Sequence, residues 1–86
     1  EMAAASLERA LRIEPKNARL WSALAAVRLG QGSWQQARSL AQRSNSLSRG
    51  DRVLQLSNWR LIEEASRRLG DEAAAEAARQ TIRRLD

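Results

Sequence analysis

The sequence predicts an all-α fold built from a repeated pair of helices. Alanine, leucine, arginine and glutamate dominate the 86 residues, which include one proline and four glycines, and such a composition favours helices over strands. Five positions also recur 38 residues later, and four of the five pairs keep their chemical character. They are Trp21, Leu24, Leu29, Gly32 and Ala37, followed by Trp59, Ile62, Arg67, Gly70 and Ala75. Repetition at such a period is typical of helical solenoids, which present extended binding surfaces.

A proline separates the first two predicted helices. Apolar residues at intervals of three and four predict a helix over residues 2–14, and Pro15 ends it. Asn17 is the expected N-cap of a second helix over residues 18–30. The apolar residues of the two stripes are Ala3, Leu7, Ala10 and Leu11, and then Leu20, Trp21, Leu24, Ala25, Val27 and Leu29. Arg19, Ser22, Ala26 and Arg28 are expected to lie away from the second stripe.

The third helix is predicted from a glycine turn and a capping motif. Gly30 and Gly32 interrupt the helical pattern, and Ser33 with Gln36 three residues later has the form of a capping box. We therefore expect a helix over residues 33–47. Its apolar or small residues on one face are Ala37, Leu40, Ala41, Ser44 and Leu47.

Capping residues also delimit the last two helices. Gly50 is the expected C-cap of the third helix, and Asp51 is the expected N-cap of a helix over residues 52–69. A turn at Gly70 leads to a fifth helix over residues 72–85. Their apolar stripes are Val53, Leu56, Trp59, Ile62, Ala65 and Leu69, and Ala74, Ala75, Ala78, Ile82 and Leu85. The short connections predict five antiparallel helices in one domain over residues 1–86.

These residues resemble the tetratricopeptide repeat, a helix-turn-helix unit of about 34 residues. Residues 18–51 resemble a full repeat, residues 52–86 a second, and residues 1–17 the second helix of a preceding one, which makes about two and a half repeats. The resemblance implies a structural role for the residues at its characteristic positions. These are Trp21, Leu24, Gly32, Trp34 and Ala37 in one repeat and Trp59, Ile62, Gly70 and Ala75 in the next. A stacking platform for bases or sugars is the alternative role of the tryptophans.

The separation of 38 residues exceeds the usual repeat length by four, around residues 52–55. Because about 3.6 residues make one helical turn, we expect one added turn on the fourth helix. A longer loop is the alternative. Val53 and Leu54 favour the turn, because apolar residues in an exposed loop would bury nothing.

Catalysis and metal binding have little support in the sequence. The chain contains no cysteine and no histidine, which excludes disulfides, thiolate or imidazole metal ligands and histidine acid–base chemistry. Glu63 and Glu64 are adjacent and so point in different directions on a helix. We expect neither enzymatic activity nor a cofactor. No apolar run is long enough to predict insertion of this segment into a membrane.

The net charge of +5 is concentrated in the centre of the chain. Residues 18–55 contain six arginines and one aspartate, whereas the charges on either side of this segment balance. An anionic partner, such as an acidic peptide or a nucleic acid, would complement this region. The simpler interpretation is a set of solvated arginines.

The resemblance implies a groove, lined by the first helix of each repeat, that holds a peptide or a partner helix. The corresponding residues here are Arg19, Ser22, Ala26 and Leu29, with Ser57, Arg60, Glu64 and Arg67. Some family members hold a peptide carboxylate with a lysine, asparagine and arginine clamp. Ala23, Ser57 and Leu61 occupy matching places, so we do not expect that clamp. The leading hypothesis is a protein-interaction module that acts as a scaffold or adaptor.

Two other functions stay open at this point. One is nucleic-acid binding by the basic central repeat, which we rank below protein binding. The other is self-assembly by dimerisation or helix exchange, because the chain starts with an unpaired second helix and lacks a polar capping helix at its end. A similarity to small proteobacterial repeat proteins favours the bacterial cell envelope or periplasm over the cytoplasm.

Overall fold

The computed structural model describes residues 2–86 and contains five α-helices in that range. They are α1 (Met2–Ile13), α2 (Ala18–Gly30), α3 (Trp34–Leu47), α4 (Arg52–Arg68) and α5 (Glu72–Leu85). No strand occurs in this range. The predicted all-α, helix-turn-helix solenoid is confirmed, and each helix begins and ends within one residue of its expected position. No described helix is both long and apolar enough to cross a membrane.

The helices pack in two layers. α2 contacts α1, α3 and α4, and α4 contacts α3 and α5 in addition to α2. α1 and α3, by contrast, have no pair of described Cα atoms within 8 Å. α2 and α4 therefore form one layer, and α1, α3 and α5 form the other. The Cα extents of 34 × 29 × 14 Å agree with a slab two helices thick.

Side-chain caps begin three of the helices. The Oδ1 atoms of Asn17, Asp51 and Asp71 accept hydrogen bonds of 3.0 to 3.1 Å from backbone amides in the first turns of α2, α4 and α5. Ser33 is the N-cap of α3, but its side chain makes no capping hydrogen bond, so the expected capping box with Gln36 is wrong. The backbone of Ser33 resembles that of the capping aspartates, so the difference lies in the side chain.

Gly50 is not the C-cap of α3, contrary to the expectation from sequence. The helix ends at Leu47, and Ser48 is its C-cap with a backbone N–H that donates to the Asn45 carbonyl. Gly50 lies in the following turn with a φ of +78°, a conformation that residues with a Cβ rarely adopt. The hydrogen bond from Ser48 to Asn45 spans three residues, so α3 ends in a turn tighter than an α-helical one, two residues before Gly50.

Small side chains allow the helices to approach closely. One core cluster consists of Ala25, Ala41, Ile62 and Ala78, with Trp59 packed against it. The second cluster joins α1 to α2 through Ala4, Leu11 and Leu24, with Trp21 packed against it. Ala3, expected on the buried stripe of α1, is exposed, and its neighbour Ala4 is buried instead. The rest of the predicted stripe, Leu7, Ala10 and Leu11, is half-buried or buried, so the error is confined to the run of alanines at positions 3 to 5.

α4 is 17 residues long, four more than α2, and begins at Arg52. Val53 lies in this additional length but is 81% exposed, so burial of its side chain is the wrong reason to expect helix there. Asp51 explains the start of the helix, because its carboxylate accepts a hydrogen bond from the Leu54 amide at 3.0 Å. A polar cap therefore starts this turn.

A buried polar network links three helices and was not anticipated from sequence. Asn58 in α4 is completely buried, and its Nδ2 donates to Ser44 Oγ at 2.8 Å and to Asn45 Oδ1 at 3.1 Å. Ser44, also completely buried, donates in turn to the Ala18 carbonyl at 2.8 Å. The network joins α2, α3 and α4 at one level, which sets the position of α4 relative to its neighbours.

The two ends of the helical array differ. The outer face of α5 is polar or small, so the apolar surface expected at one or both ends of the array is not found on this helix. Its exposed residues are Glu72, Ala73, Glu76, Ala77, Gln80, Arg83 and Arg84. Large exposed apolar side chains occur instead at both ends of α1, at Met2 and Ile13. The other two large exposed apolar residues among residues 2–86 are Val53 and Leu69, in α4 and directly after it.

Candidate functional site

The first candidate site is the outer surface of α2 and α4, here called the α2/α4 face. Eight residues of these helices are the expected groove residues, and they differ in exposure. Arg19, Ala26, Ser57, Arg60 and Arg67 are exposed, Leu29 and Glu64 are half-buried, and Ser22 is buried. The surface therefore contains seven of them in accessible or partly accessible positions.

Ser22 is only 8% exposed, so the interpretation that it faces away from the buried stripe is wrong. α2 packs against three helices, and its buried arc is therefore wider than one amphipathic stripe. The exposed residues of α2 follow a narrower line through Arg19, Ala23, Ala26 and Gly30. Spacing along a single helix cannot indicate how many neighbours cover it.

The amino ends of α2 and α4 are linked by an ion pair. Arg19 Nη2 lies 3.4 Å from Asp51 Oδ2, and the arginine side chain is largely exposed. Asp51 is also the N-cap of α4. An exposed pair of this length contributes little stability, so Arg19 can exchange its partner for an incoming carboxylate at small cost.

Glu64 and Arg67 neutralise each other at the carboxyl end of α4. Glu64 accepts hydrogen bonds from Arg67 and, at 2.8 Å, from Arg68. These hydrogen bonds lower the pKa of Glu64 below its usual value, and the bond to Glu64 raises the pKa of Arg67. Arg67 also lies 3.7 Å from Glu63. This end of the α2/α4 face is therefore occupied by internal ion pairs.

The first half of α4 presents a different surface, here called the α4 patch, formed by Val53, Ser57 and Arg60. Their spacing of four and three residues places them on one side of the helix. Val53 is the most exposed large apolar residue outside α1 within residues 2–86. Arg60 is exposed and makes no ion pair or side-chain hydrogen bond with any described residue. An exposed apolar side chain and an unpaired guanidinium thus lie on the same side of α4, about two turns apart.

The central arginines are partly neutralised by residues from outside the central segment. Arg28 pairs with Glu8 at 3.0 Å, and Arg38 pairs with Asp71 at 3.0 Å. The pKa of Asp71 is lowered by the hydrogen bond from the Ala74 amide and then by Arg38. The fold therefore brings acidic groups of α1 and of the α4–α5 turn to a segment that is basic by composition.

The tryptophans pack within the fold. Trp21 and Trp59 contact the two core clusters, and Trp21 Nε1 donates to the Pro15 carbonyl at 2.7 Å. Trp34 lies at the turn, where Arg68 stands 5.1 Å from its ring centre. The adjoining Gly32 has a φ of +77°, as does Gly70 in the equivalent turn. The two turns are thus alike in backbone conformation.

No group of three or more acidic, cysteine or histidine residues able to hold a metal ion occurs among residues 2–86. Both adjacent glutamates of α4 are engaged by arginines: Glu63 accepts from Arg79 at 3.1 Å, and Glu64 from Arg67 and Arg68. The α2/α4 face is therefore characterised by its exposed arginines and by the exposed Val53.

Antiparallel helix pairs with matching glycine turns, stacked in two layers, define a helical-repeat protein. The chain belongs to the tetratricopeptide repeat family, whose model matches residues 1–57. Repeats of this family are generally protein-interaction modules and are typically not catalytic.

A solved structure extends this similarity over almost the whole chain. The globular C-terminal domain of P. aeruginosa LpoP is 45% identical in sequence and superposes with a TM-score of 0.87. The match covers 93% of this chain and 76% of the LpoP chain. No curated protein sequence gave a significant match.

Proposed function

We propose that this domain is a scaffold or adaptor module that binds another polypeptide on its α2/α4 face. The observation that carries the proposal is the α4 patch, where an 81% exposed valine and an unpaired arginine lie two turns apart on the same side of the helix. Exposed apolar groups and arginine are both favoured at protein interfaces. Family membership supports the same function, because tetratricopeptide repeats are generally interaction modules.

Charge indicates the chemistry of the partner segment. Arg60 has no carboxylate partner among residues 2–86, and Arg49 and Arg52 near the start of α4 also lack one. A partner segment with acidic residues beside an apolar one would pair with these guanidinium groups and cover Val53. Arg19 and Arg67 contribute less, because Asp51 and Glu64 already engage them.

The experiment is affinity capture from cell lysate with an immobilised double variant, Val53→Ser with Arg60→Glu. Both residues are exposed, so the substitutions should change stability by no more than about 0.5 kcal/mol. We expect recovery of the specific partner to fall about tenfold, which corresponds to about 1.4 kcal/mol of binding free energy. Arg84→Glu on α5 is the matched control, since it makes the same charge change on another surface.

A triple variant tests the wider groove assignment. Replacement of Arg19, Arg60 and Arg67 by alanine removes every arginine among the expected groove residues. Unchanged partner recovery by this variant would reject the α2/α4 face as the binding surface. Recovery that falls with both this variant and Arg84→Glu would instead indicate a general charge effect.

Nucleic-acid binding is the weaker alternative. Arg28 and Arg38 are engaged by Glu8 and Asp71 at 3.0 Å each. These contacts reduce the number of guanidinium groups available to phosphates. A salt titration with random single-stranded RNA distinguishes the two functions, because binding through phosphates strengthens steeply as salt is lowered. Absence of binding at low salt would end this alternative.

A further inference from the structure

A groove runs between α1 and α3 in the layer opposite the α2/α4 face. These two helices have no described Cα atoms within 8 Å of each other, and α2 lies beneath the space between them. Two adjoining cavities fill the groove, one of about 320 Å³ and one of about 420 Å³. Glu8, Leu24 and Leu40 line both cavities, so the space is continuous. We call it the α1/α3 groove.

The floor of the α1/α3 groove is apolar and already formed. Leu11, Trp21, Leu24 and Leu40 line it, and the first and third of these are buried in the core cluster that joins α1 to α2. The Trp21 indole N–H is satisfied by the Pro15 carbonyl at 2.7 Å. The ring therefore holds one orientation and presents an apolar surface. A partner that covers the groove gains free energy from the exposed parts of the half-buried Trp21 and Leu40.

The rim of the groove is positively charged. Glu8 is the acidic residue of the lining, and Arg28 neutralises it at 3.0 Å. Arg12 lines the same groove without an ion-pair partner among residues 2–86. Arg43 is exposed on α3 beside the groove, where its guanidinium lies over the ring of Trp21 at 5.7 Å from the ring centre, and it likewise has no carboxylate partner in that range. Two free cations thus flank an apolar floor.

From this combination we propose that the α1/α3 groove binds an amphipathic helix of a partner protein, with an apolar stripe flanked by glutamate or aspartate. The stripe covers the leucines and Trp21, and the acidic flanks pair with Arg12 and Arg43. The lining residues of α3 run from Gln35 to Leu40, or about 7.5 Å, and Arg43 lies about one turn further along the helix. The nine residues from Gln35 to Arg43 together span about 12 Å, which matches roughly two turns of a bound helix. This surface is separate from the α2/α4 face and adds a second docking site.

Two synthetic peptides test the proposal on the intact domain. They share one leucine stripe with helical spacing, and their polar positions are glutamate in one peptide and lysine in the other. Amide and indole NMR signals of the domain report the binding site. We expect the glutamate peptide to shift the Trp21 indole and the Leu24 and Leu40 amides while the Trp59 indole stays unchanged. The lysine peptide should bind at least about tenfold more weakly.

Charge-reversal variants separate this groove from the α2/α4 face. Arg12→Glu with Arg43→Glu should weaken binding of the glutamate peptide about tenfold, and Arg60→Glu should leave it unchanged. All three arginines are exposed, so unfolding curves should show that the fold is retained. The opposite pattern would place the peptide on the α2/α4 face and overturn the groove proposal without touching the proposed function.

Two other results would also overturn it. Equal binding of the glutamate and lysine peptides would show that the rim charges of Arg12 and Arg43 select nothing. Concentration-dependent shifts of Trp21 and Leu40 in the domain alone would show that a second copy of the chain occupies the groove. Each outcome is distinguishable from loss of partner capture by the Val53 and Arg60 variant.

Discussion

The buried network around Asn58 leads to a quantitative prediction for stability. Asn58→Ala removes two hydrogen bonds, to Ser44 Oγ at 2.8 Å and to Asn45 Oδ1 at 3.1 Å, which together contribute about 2 kcal/mol. Loss of the packed amide adds about 1 kcal/mol. Asn58 Oδ1 is buried without a hydrogen-bond partner, and its removal returns about 1 kcal/mol. The free energy of unfolding should therefore fall by about 2 kcal/mol.

Urea denaturation followed by far-UV circular dichroism measures this change. The m-value should stay constant, because the surface exposed on unfolding is nearly the same, and the Tm should fall by about 10 °C for a domain of this size. Ser57→Ala is the matched control, since Ser57 is the exposed neighbour on the same helix and should change stability by less than about 0.5 kcal/mol. If Asn58→Ala costs no more than Ser57→Ala, the network does not hold α4 in place and the reasoning is refuted.

Three further predictions concern the glycines near the α2–α3 turn, the pH dependence of stability and dimerisation. Gly30→Ala should stabilise the domain by about 0.5 kcal/mol, because the added Cβ meets nothing within 4 Å. Gly32→Ala should destabilise it by about 1 kcal/mol, because Gly32 has a φ of +77°. Equal free energies of unfolding for the two variants would contradict this prediction. The hydrogen bond from the Ala74 amide is the main reason why the pKa of Asp71 is lowered in the folded state. The ionised Asp71 therefore contributes its full stabilisation above the unfolded-state pKa of about 4. This stabilisation is lost as the pH falls through the lower folded-state pKa. The urea midpoint should fall on acidification, and less so in Asp71→Asn; a midpoint that rises between about pH 5 and pH 3 would oppose this sign. The exposed Met2 and Ile13 should support dimerisation at high protein concentration, which light scattering detects. Replacement of both residues by serine should favour the monomer. A wild-type domain that is monomeric at every concentration would contradict this prediction.

Local signals in the chain were sufficient to predict the helices. Pro15, Asn17 and Asp51 act through backbone atoms of their own or neighbouring residues, so their effect does not depend on the rest of the fold. The positive φ of Gly32 and Gly70 is likewise a local property of tight turns. For this reason all five predicted helices agree with the structure in position and length to within one residue.

Burial was harder to predict because it depends on how many helices surround a residue. Ser22 is buried since α2 has three neighbours, and Val53 is exposed although its side chain is apolar. Asn58 carried no recognisable signal, because asparagine is usually a surface residue and its partner Ser44 lies 14 positions away in the sequence. The candidate surfaces therefore had to be revised once packing was known.

The charge distribution, too, depends partly on sequence and partly on the fold. Composition alone assigns a net charge of +5 to residues 18–55. The fold then brings Glu8 to Arg28 and Asp71 to Arg38 across 20 and 33 positions of sequence. Arg60 is left without an ion-pair partner among residues 2–86, which no count of charges could have indicated.

The sequence by itself determined the helices, their turns and the repeat family, because caps, glycines and apolar spacing act over a few neighbouring residues. Tertiary structure alone decided which side chains are buried and which distant charged residues form ion pairs within the fold. The spacing between α1 and α3, which leaves the α1/α3 groove open, results from how each of them packs on α2. Contacts between distant segments are selected by packing and charge in three dimensions, and the order of residues along the chain does not specify them locally.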